Sequence, residues 1–241
     1  MMRPDGFSAV MAHRVSDMRA LDYFPTPPWA ARAGGELIRG IDPGDGAGMT
    51  AWEPACGGGH MAWGLLDYFA HVSISDIHDH GGPLAAGRLV GDFLDPAFGP
   101  EIRADWIITN PPFKAGEAFV RRAWARAERG VAMLLRLQFL EGAARCRLFA
   151  ELPPHTVAVF AERVPMVQGR WDPEASSATA YAWFVWVKPG TPGWAQVEAQ
   201  GTRMAWIAPG TKARLSRAED LERFGGQNRD GAPGLFGGVL P

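Results

Sequence analysis

Apolar and polar positions along this chain follow two periods in turn. Short runs rich in Val, Ile, Trp and Ala, each ending at a polar residue or glycine, read as strands at 49–52, 71–75, within 84–90, 104–109, 131–135, 156–161 and 180–187. Between them lie stretches with helical spacing, at 30–39, 61–68, 117–128 and 141–152. Strands alternating with helices predict an α/β domain built on a largely parallel sheet. Thr26 suits a helix N-cap, with Pro27 and Pro28 in the first turn and Leu37 and Ile38 on the buried side. In the helix at 117–128, Ala118, Phe119, Ala123 and Ala127 fall inward. Arg121, Arg122, Arg126 and Arg129 fall on an outer face, solvated first and a phosphate-contact candidate second. Pro153 and Pro154 stop the helix at 141–152.

Two segments break this rhythm. Residues 162–179 have no clear period and make a long loop for a compact domain, which favours a functional role. Beyond 188 the pattern thins, with one further short strand at 204–207 and a Gly- and Pro-rich, flexible end from about 225. Residues 1–22 read as a loose arm or one short helix. The organisation is thus an N-terminal arm (1–22), a catalytic domain (23–188) and a C-terminal extension (189–241).

Composition narrows the class. At 241 residues and 47% hydrophobic, the chain has enough apolar material for one large α/β core, and most of its ten tryptophans belong there. The net charge of −2 means that a nucleic-acid partner needs a local basic face. Cys56 and Cys146 form no ligand or disulfide pattern, and no apolar stretch is long enough to span a membrane. A soluble, cytoplasmic, reduced protein is expected.

The candidate chemistry sits where strands end, because ligands of open α/β sheets bind at the carboxyl ends of strands. The first strand runs into Glu53-Pro54-Ala55-Cys56-Gly57-Gly58-Gly59-His60, and a helix starts at these glycines. This is a nucleotide-type turn. Three adjacent glycines with no following Lys-Ser/Thr are not a phosphate cradle, and an acid ahead of the turn suits a cationic amino group. Asp76 ends the second strand, where an acid commonly accepts ribose hydroxyls. Asp92 follows the third. His78 and His80 flank Asp79 without a further nearby ligand, which reads as a solvated loop rather than a metal site. The fourth strand ends in Asn110-Pro111-Pro112-Phe113. The prolines stiffen this corner, Asn110 offers an acceptor and two donors in one plane, and Phe113 offers a flat face. That set suits a planar group with an exocyclic amine; the alternative for the tetrapeptide alone is an ordinary Pro-rich turn after a strand, with Phe113 in the core.

In this order the motifs resemble the S-adenosylmethionine-dependent methyltransferases, specifically the DNA N6-adenine branch, over residues 23–187. The Phe24-to-Pro28 stretch, then the glycine turn, then Asn-Pro-Pro-Phe is similar to the gamma-type arrangement of small phage and prophage enzymes of low specificity. The resemblance implies a Rossmann-like, seven-stranded methyltransferase sheet with helices on both faces and the last strand antiparallel. It implies S-adenosylmethionine as cofactor and no metal. Glu53, Ala55 and the Gly57 and Gly59 backbone would hold the methionine part, with Phe24 and Thr26 closing over it. Asp76 would hold the ribose, with Ile77 beside it. Asp92 and Phe93 would meet the adenine ring, and Asn110 the reacting end. The usual turn has Asp where Glu53 stands and a small residue where Gly58 stands. Asn110, Pro111, Pro112 and Phe113 would clamp and stack the target amine.

The expected function is methylation of adenine N6 in double-stranded DNA. The base would be flipped out, since an amine inside a duplex cannot reach such a crevice. Target specificity would be short or weak, because only the loop at 162–179 and the thin end remain to read sequence. Arg163, Arg170 and Trp171 are the DNA-contact candidates, with a salt-bridged loop plugged by Trp171 as the alternative. No obligatory protein partner is expected. The competing enzyme readings are an RNA base-amine or a protein glutamine methyltransferase. A non-catalytic nucleic-acid-binding module is the reading from another class.

Overall fold

The structure is a computed structural model and describes residues 22–44 and 48–225. The expected arm, up to residue 21, and the glycine-rich end, from residue 226, lie outside the described residues.

Eight strands form one sheet. They are β1 (Thr50–Glu53), β2 (His71–Asp76), β3 (Leu89–Val90), β4 (Trp106–Thr109), β5 (Gly130–Arg136), β6 (Thr156–Phe160), β7 (Tyr181–Val187) and β8 (Arg203–Ile207). Their order is β3-β2-β1-β4-β5-β7-β6-β8. The first five pair in parallel, and β7 runs antiparallel between β5 and β6. The seven-strand expectation is therefore one strand short. Residues at 204–207 belong to β8, which pairs parallel to β6 at the sheet edge. The α/β class and the antiparallel seventh strand stand.

Helices cover both faces. They are α1 (Pro28–Ile41), α2 (His60–Leu65), α3 (Gly116–Arg126), α4 (Ala143–Glu151), α5 (Trp194–Gln200), α6 (Thr211–Leu215) and α7 (Ala218–Phe224). Side chains alternate across a strand, so β5 and β7 feed two apolar layers at once. Ala132, Leu134, Trp183 and Val185 face α1 and α2, while Val131, Met133, Phe184 and Trp186 face α3 and α4. Indole N–H groups tie helices and loops to the sheet: Trp183 Nε1 donates to Ala30 O at 3.0 Å and Trp186 Nε1 to Leu152 O at 2.9 Å. A buried aromatic gains from its area while its polar tip finds a partner. Close approach explains Gly64 in α2, where a Cβ would stand 2.5 Å from Pro28 O of α1.

The basic outer face of α3 is spent on structure. Arg121 pairs with Glu117 and Glu151 at 3.1 and 2.7 Å. Arg122 and Arg126 donate to carbonyls of the loop between β3 and β4, and Arg129 pairs with Asp42 at 2.6 Å. Ala118, expected inward, is exposed, and Val120 takes its place in the core.

Residues after β7 fold back onto the front of the chain. Arg32 of α1, 1% exposed, donates to both carboxylate oxygens of Asp220 at 2.7 Å and to Asp67 at 2.6 Å. Trp63 of α2 donates to the same Asp220 at 3.0 Å. Asp220 also accepts the Arg217 backbone N–H, which caps α7. No helix among the described residues is long and apolar enough to cross a membrane.

Candidate active site

Adjacent parallel strands deliver their last residues to one edge of the sheet. Glu53 closes β1, Asp76 closes β2, Asp92 follows β3, Asn110 follows β4 and Arg136 closes β5. A cavity of about 360 Å³ opens along this edge. Phe24, Thr26, Glu53, Ala55, Gly57, Asp76, Ile77, Asp92, Phe93 and Asn110 all line it, with Pro112 at one end. Gly59, Pro111, Phe113, Arg163, Arg170 and Trp171 do not line it.

The glycine turn is a bent strand-to-helix connection. Gly57 and Gly59 have φ of 54° and 87°, a region that costs side-chain-bearing residues energy. Asp76 holds the turn by accepting the Gly57 N–H at 2.8 Å and the His78 N–H at 3.0 Å, with His80 at 3.4 Å. Burial works to raise the Asp76 carboxyl, but the hydrogen bonds from His80, His78 and Gly57 outweigh it and hold it below its ordinary value.

Glu53 behaves in the opposite way. It is fully enclosed, its Oε2 has no partner, and burial holds its carboxyl well above the usual carboxylate range. Only the Ala62 N–H and the distant Arg88 favour its charged form. A buried acid with an orphaned oxygen at a cavity wall is poised for a cationic donor.

Asn110 is fixed by its nitrogen. Its Nδ2 donates to Phe24 O and Thr26 Oγ1, both at 3.1 Å, and contacts Met166 Sδ at 3.7 Å. A backbone carbonyl can only accept, so the amide has one orientation. The Asn110 Oδ1 is consequently buried without a partner. Here the structure corrects a sequence expectation: Thr26 makes no cap bond to α1 and instead accepts from Asn110. Phe113 packs against Phe24, with ring centroids 5.0 Å apart, and carries the Arg136 guanidinium 3.4 Å above its ring centre.

Three site residues have no sequence signal of their own. Tyr23 lies over Gly57 and Gly58, so close that a Cβ on Gly57 would stand 2.4 Å from its ring, and it stacks on His80 at 4.4 Å. His80 thereby turns inward, against the solvated loop expected for it. His60 is 2% exposed with both ring nitrogens unpartnered, and burial pushes it down to about 3. It stacks on Phe224 at 4.0 Å and meets Trp171 edge-on at 6.1 Å. Each of these contacts joins segments far apart in sequence, which local pattern does not report.

Of the candidate DNA contacts, Arg163 is exposed and donates to Ala178 O at 3.1 Å. Arg170 pairs with Asp172 at 2.5 Å, and Trp171 leans onto His60 and Phe224. Among the described residues no cluster of three metal-type ligands occurs.

The architecture is shared with known proteins. A methyltransferase subunit of a type I restriction-modification system from Streptococcus thermophilus is similar over 69% of this chain, with 16% identity and a TM-score of 0.54. A chain from Listeria monocytogenes named as a class I S-adenosylmethionine-dependent methyltransferase is similar over 79% of this chain and 69% of its own length, with 12% identity and a TM-score of 0.58. A chain from Pyrococcus horikoshii named as an RNA methyltransferase is similar over 70% of this chain and 88% of its own, with 17% identity and a TM-score of 0.50. This chain spans 45% of the Streptococcus subunit's length. No protein-family model and no curated protein sequence matches it. The described residues thus have the Rossmann-like fold of S-adenosylmethionine-dependent methyltransferases.

Proposed function

We propose that this protein transfers a methyl group from S-adenosylmethionine to the N6 amine of adenine in DNA. Sequence preference is short or slight, and the adenine is turned out of the duplex. The observation that carries this reading is Asn110, whose nitrogen is locked so that an unpartnered buried Oδ1 is left as an acceptor at the cavity wall.

The residues present fit the cofactor. Glu53 offers an orphaned carboxylate oxygen for its cationic amino group. The Gly57 to Gly59 turn gives backbone access, Asp76 and Ile77 face the ribose, and Asp92 and Phe93 take the adenine end. Phe24, Thr26 and Ala55 line the same cavity. When bound, S-adenosylmethionine supplies an electrophilic methyl on a sulfonium.

The chain's own residues prepare the acceptor. An exocyclic adenine amine is a weak nucleophile because its lone pair delocalises into the ring. Asn110 Oδ1 and the Pro111 carbonyl accept its two hydrogens, which favours a pyramidal nitrogen with a directed lone pair. Pro112 holds the corner rigid, and Phe113 stacks on the base. No strong general base is needed before attack: the carbon–sulfur bond would break as the carbon–nitrogen bond forms, S-adenosylhomocysteine would leave, and the methylated nitrogen would then shed its extra proton to water, so catalysis rests on positioning and electrostatics. Arg163 contacts the DNA backbone beside the extruded base, with Arg170 and Trp171 shaping the loop that carries it.

Incubation with unmethylated DNA, followed by modification-aware sequencing, tests substrate, product and specificity together. N6-methyladenine at many short or loosely related sites is expected, and a single strict long motif refutes low specificity. Parallel RNA and glutamine-protein acceptors should stay unmodified. Asn110→Ala should bind cofactor normally and lose about 10²- to 10³-fold in turnover, the scale for a preorganised polar group. Wild-type turnover in that variant refutes the assignment.

A further inference from the structure

Arg136 is a charged group that neither the fold nor the proposed chemistry has yet used. It ends β5 beside β4, whose own end carries Asn110. Its guanidinium carbon lies 3.4 Å from the centre of the Phe113 ring, a close cation–π contact over the aromatic face. Phe113 is half-buried against the apolar layer beneath α1. The guanidinium thus covers the surface on which a planar base would lie.

Several arginines of the chain are neutralised by carboxylates. Arg88 pairs with Asp79, Arg129 with Asp42, Arg145 with Glu117 and Arg170 with Asp172. No ion pair is formed by Arg136 among the described residues. Its Nε is buried without a hydrogen-bond partner, while the guanidinium also hydrogen-bonds the Tyr181 hydroxyl. A half-buried guanidinium held by an aromatic face, with a donor left over, is uncompensated in charge and short of an acceptor.

We infer that Arg136 is a phosphate-binding residue that gives up the Phe113 face to the extruded base and pairs with the phosphodiester beside that base. This rests on the reading of Phe113 as the base-stacking ring. Base entry exchanges a cation–π contact for charge-assisted hydrogen bonds from the Arg136 fork to an anionic oxygen. The two events are linked, because the base needs the surface that the guanidinium leaves. The consequence is selection for a nucleotide within a polynucleotide strand. A free nucleoside has no phosphodiester for Arg136, and a glutamine side chain brings none.

The test uses single-stranded oligodeoxynucleotides containing one adenine, in three forms. One is fully charged, and the others carry a neutral methylphosphonate at the 5′ or at the 3′ phosphate of that adenine. Equilibrium binding to wild-type protein and to Arg136→Gln is measured by fluorescence anisotropy with S-adenosylhomocysteine present. One of the two neutral linkages should weaken wild-type binding about tenfold, the scale of one charged hydrogen-bond pair. Arg136→Gln should lose about as much on the charged strand and little more on that neutral one. Its salt dependence should flatten by about 0.7 in log–log slope, one phosphate's worth for a single strand. Arg136→Lys, which keeps the charge and loses the fork, should fall between.

Losses that simply add across variant and linkage, or no measurable binding of any oligonucleotide, overturn the assignment. Methyl transfer measured in parallel keeps the two readings apart. Coupling without adenine methylation sinks the functional reading and leaves Arg136 as a phosphate-binding residue. Methylation with additive losses does the reverse.

Discussion

Glu53 is a carboxyl group with its charge withheld. Burial favours the protonated form and no countercharge touches it, so the ligand-free protein keeps that proton well above the usual carboxylate range. A bound cationic amino group reverses the balance and expels the proton. Cofactor affinity should therefore rise with pH until Glu53 ionises in the free protein, and level off above that. Calorimetry in two buffers of different ionisation enthalpy should register release of up to about one proton per cofactor bound. Glu53→Gln should bind more weakly and without that release. Equal heats in both buffers for the wild type would rule the coupling out. The same residue bears on stability. Its raised value makes the ligand-free fold lose stability as pH climbs from the ordinary glutamate value toward the folded one.

Residue identity carried much of the candidate site. Glu53, Asp76 and Asn110 each end an apolar run, and runs and their terminators are local signals. Thr26 marks the boundary of such signals. A threonine ahead of two prolines satisfies the local rule for a cap, yet its hydroxyl accepts from Asn110 across the cleft. A hydroxyl serves whichever donor the tertiary fold delivers. Arg136 shows the same boundary from the other side. Its place at a strand end is readable, but its missing countercharge is known only once every carboxylate is placed.

Elements were legible where they are long or strongly patterned. The parallel core strands and α1 follow their apolar period closely. The helices after β7 have only five to seven residues, too few turns for a period to register. The helix α2 is just as short, and what stabilises it lies at the far end of the chain. His60 at its start is stacked on Phe224 of α7 and shut off from water. Its folded value is about 3, against about 6.5 in an unfolded chain. A histidine with a depressed folded value stabilises fully above its unfolded value. It loses that stability as pH falls, because the unfolded chain takes up a proton that the folded chain refuses. From pH 7 to pH 5 this is worth about 2 kcal/mol. Thermal melts should show His60→Phe losing less Tm than the wild type over that interval. Parallel losses would show that other groups set the acid limit. His155, also depressed by burial, should leave a residual slope in both proteins.

At the scale of the molecule, the sheet order brings Glu53, Asp76, Asp92 and Asn110 to one edge, and the segment after β7 packs behind them on α1 and α2. That packing turns on Asp220, 3% exposed, which takes both arms of the Arg32 fork. Removing one partner of a buried pair leaves the other charge uncompensated. Asp220→Ala should cost about 3 kcal/mol, the lower end of the range for such losses, because Asp67 still holds the third guanidinium nitrogen. Asp220→Asn, which keeps one acceptor oxygen, should cost less. Urea denaturation with an unchanged slope would measure both. A cost under about 1 kcal/mol for the alanine variant would mean that Asp67 and water suffice for Arg32.

The Arg32–Asp220 pair also has a consequence in time. The two residues are 188 positions apart, with the whole sheet between them. A ribosome releases the guanidinium long before the carboxylate that neutralises it in the core. Until then α1 has a cation on the face it must bury, and only Asp67 to offset it. Helix α1 should therefore dock among the last events of folding, behind the slow non-local pairing of the sheet. Charge placement here acts as a clock, holding back the packing of α1 on the sheet until the strands are in register.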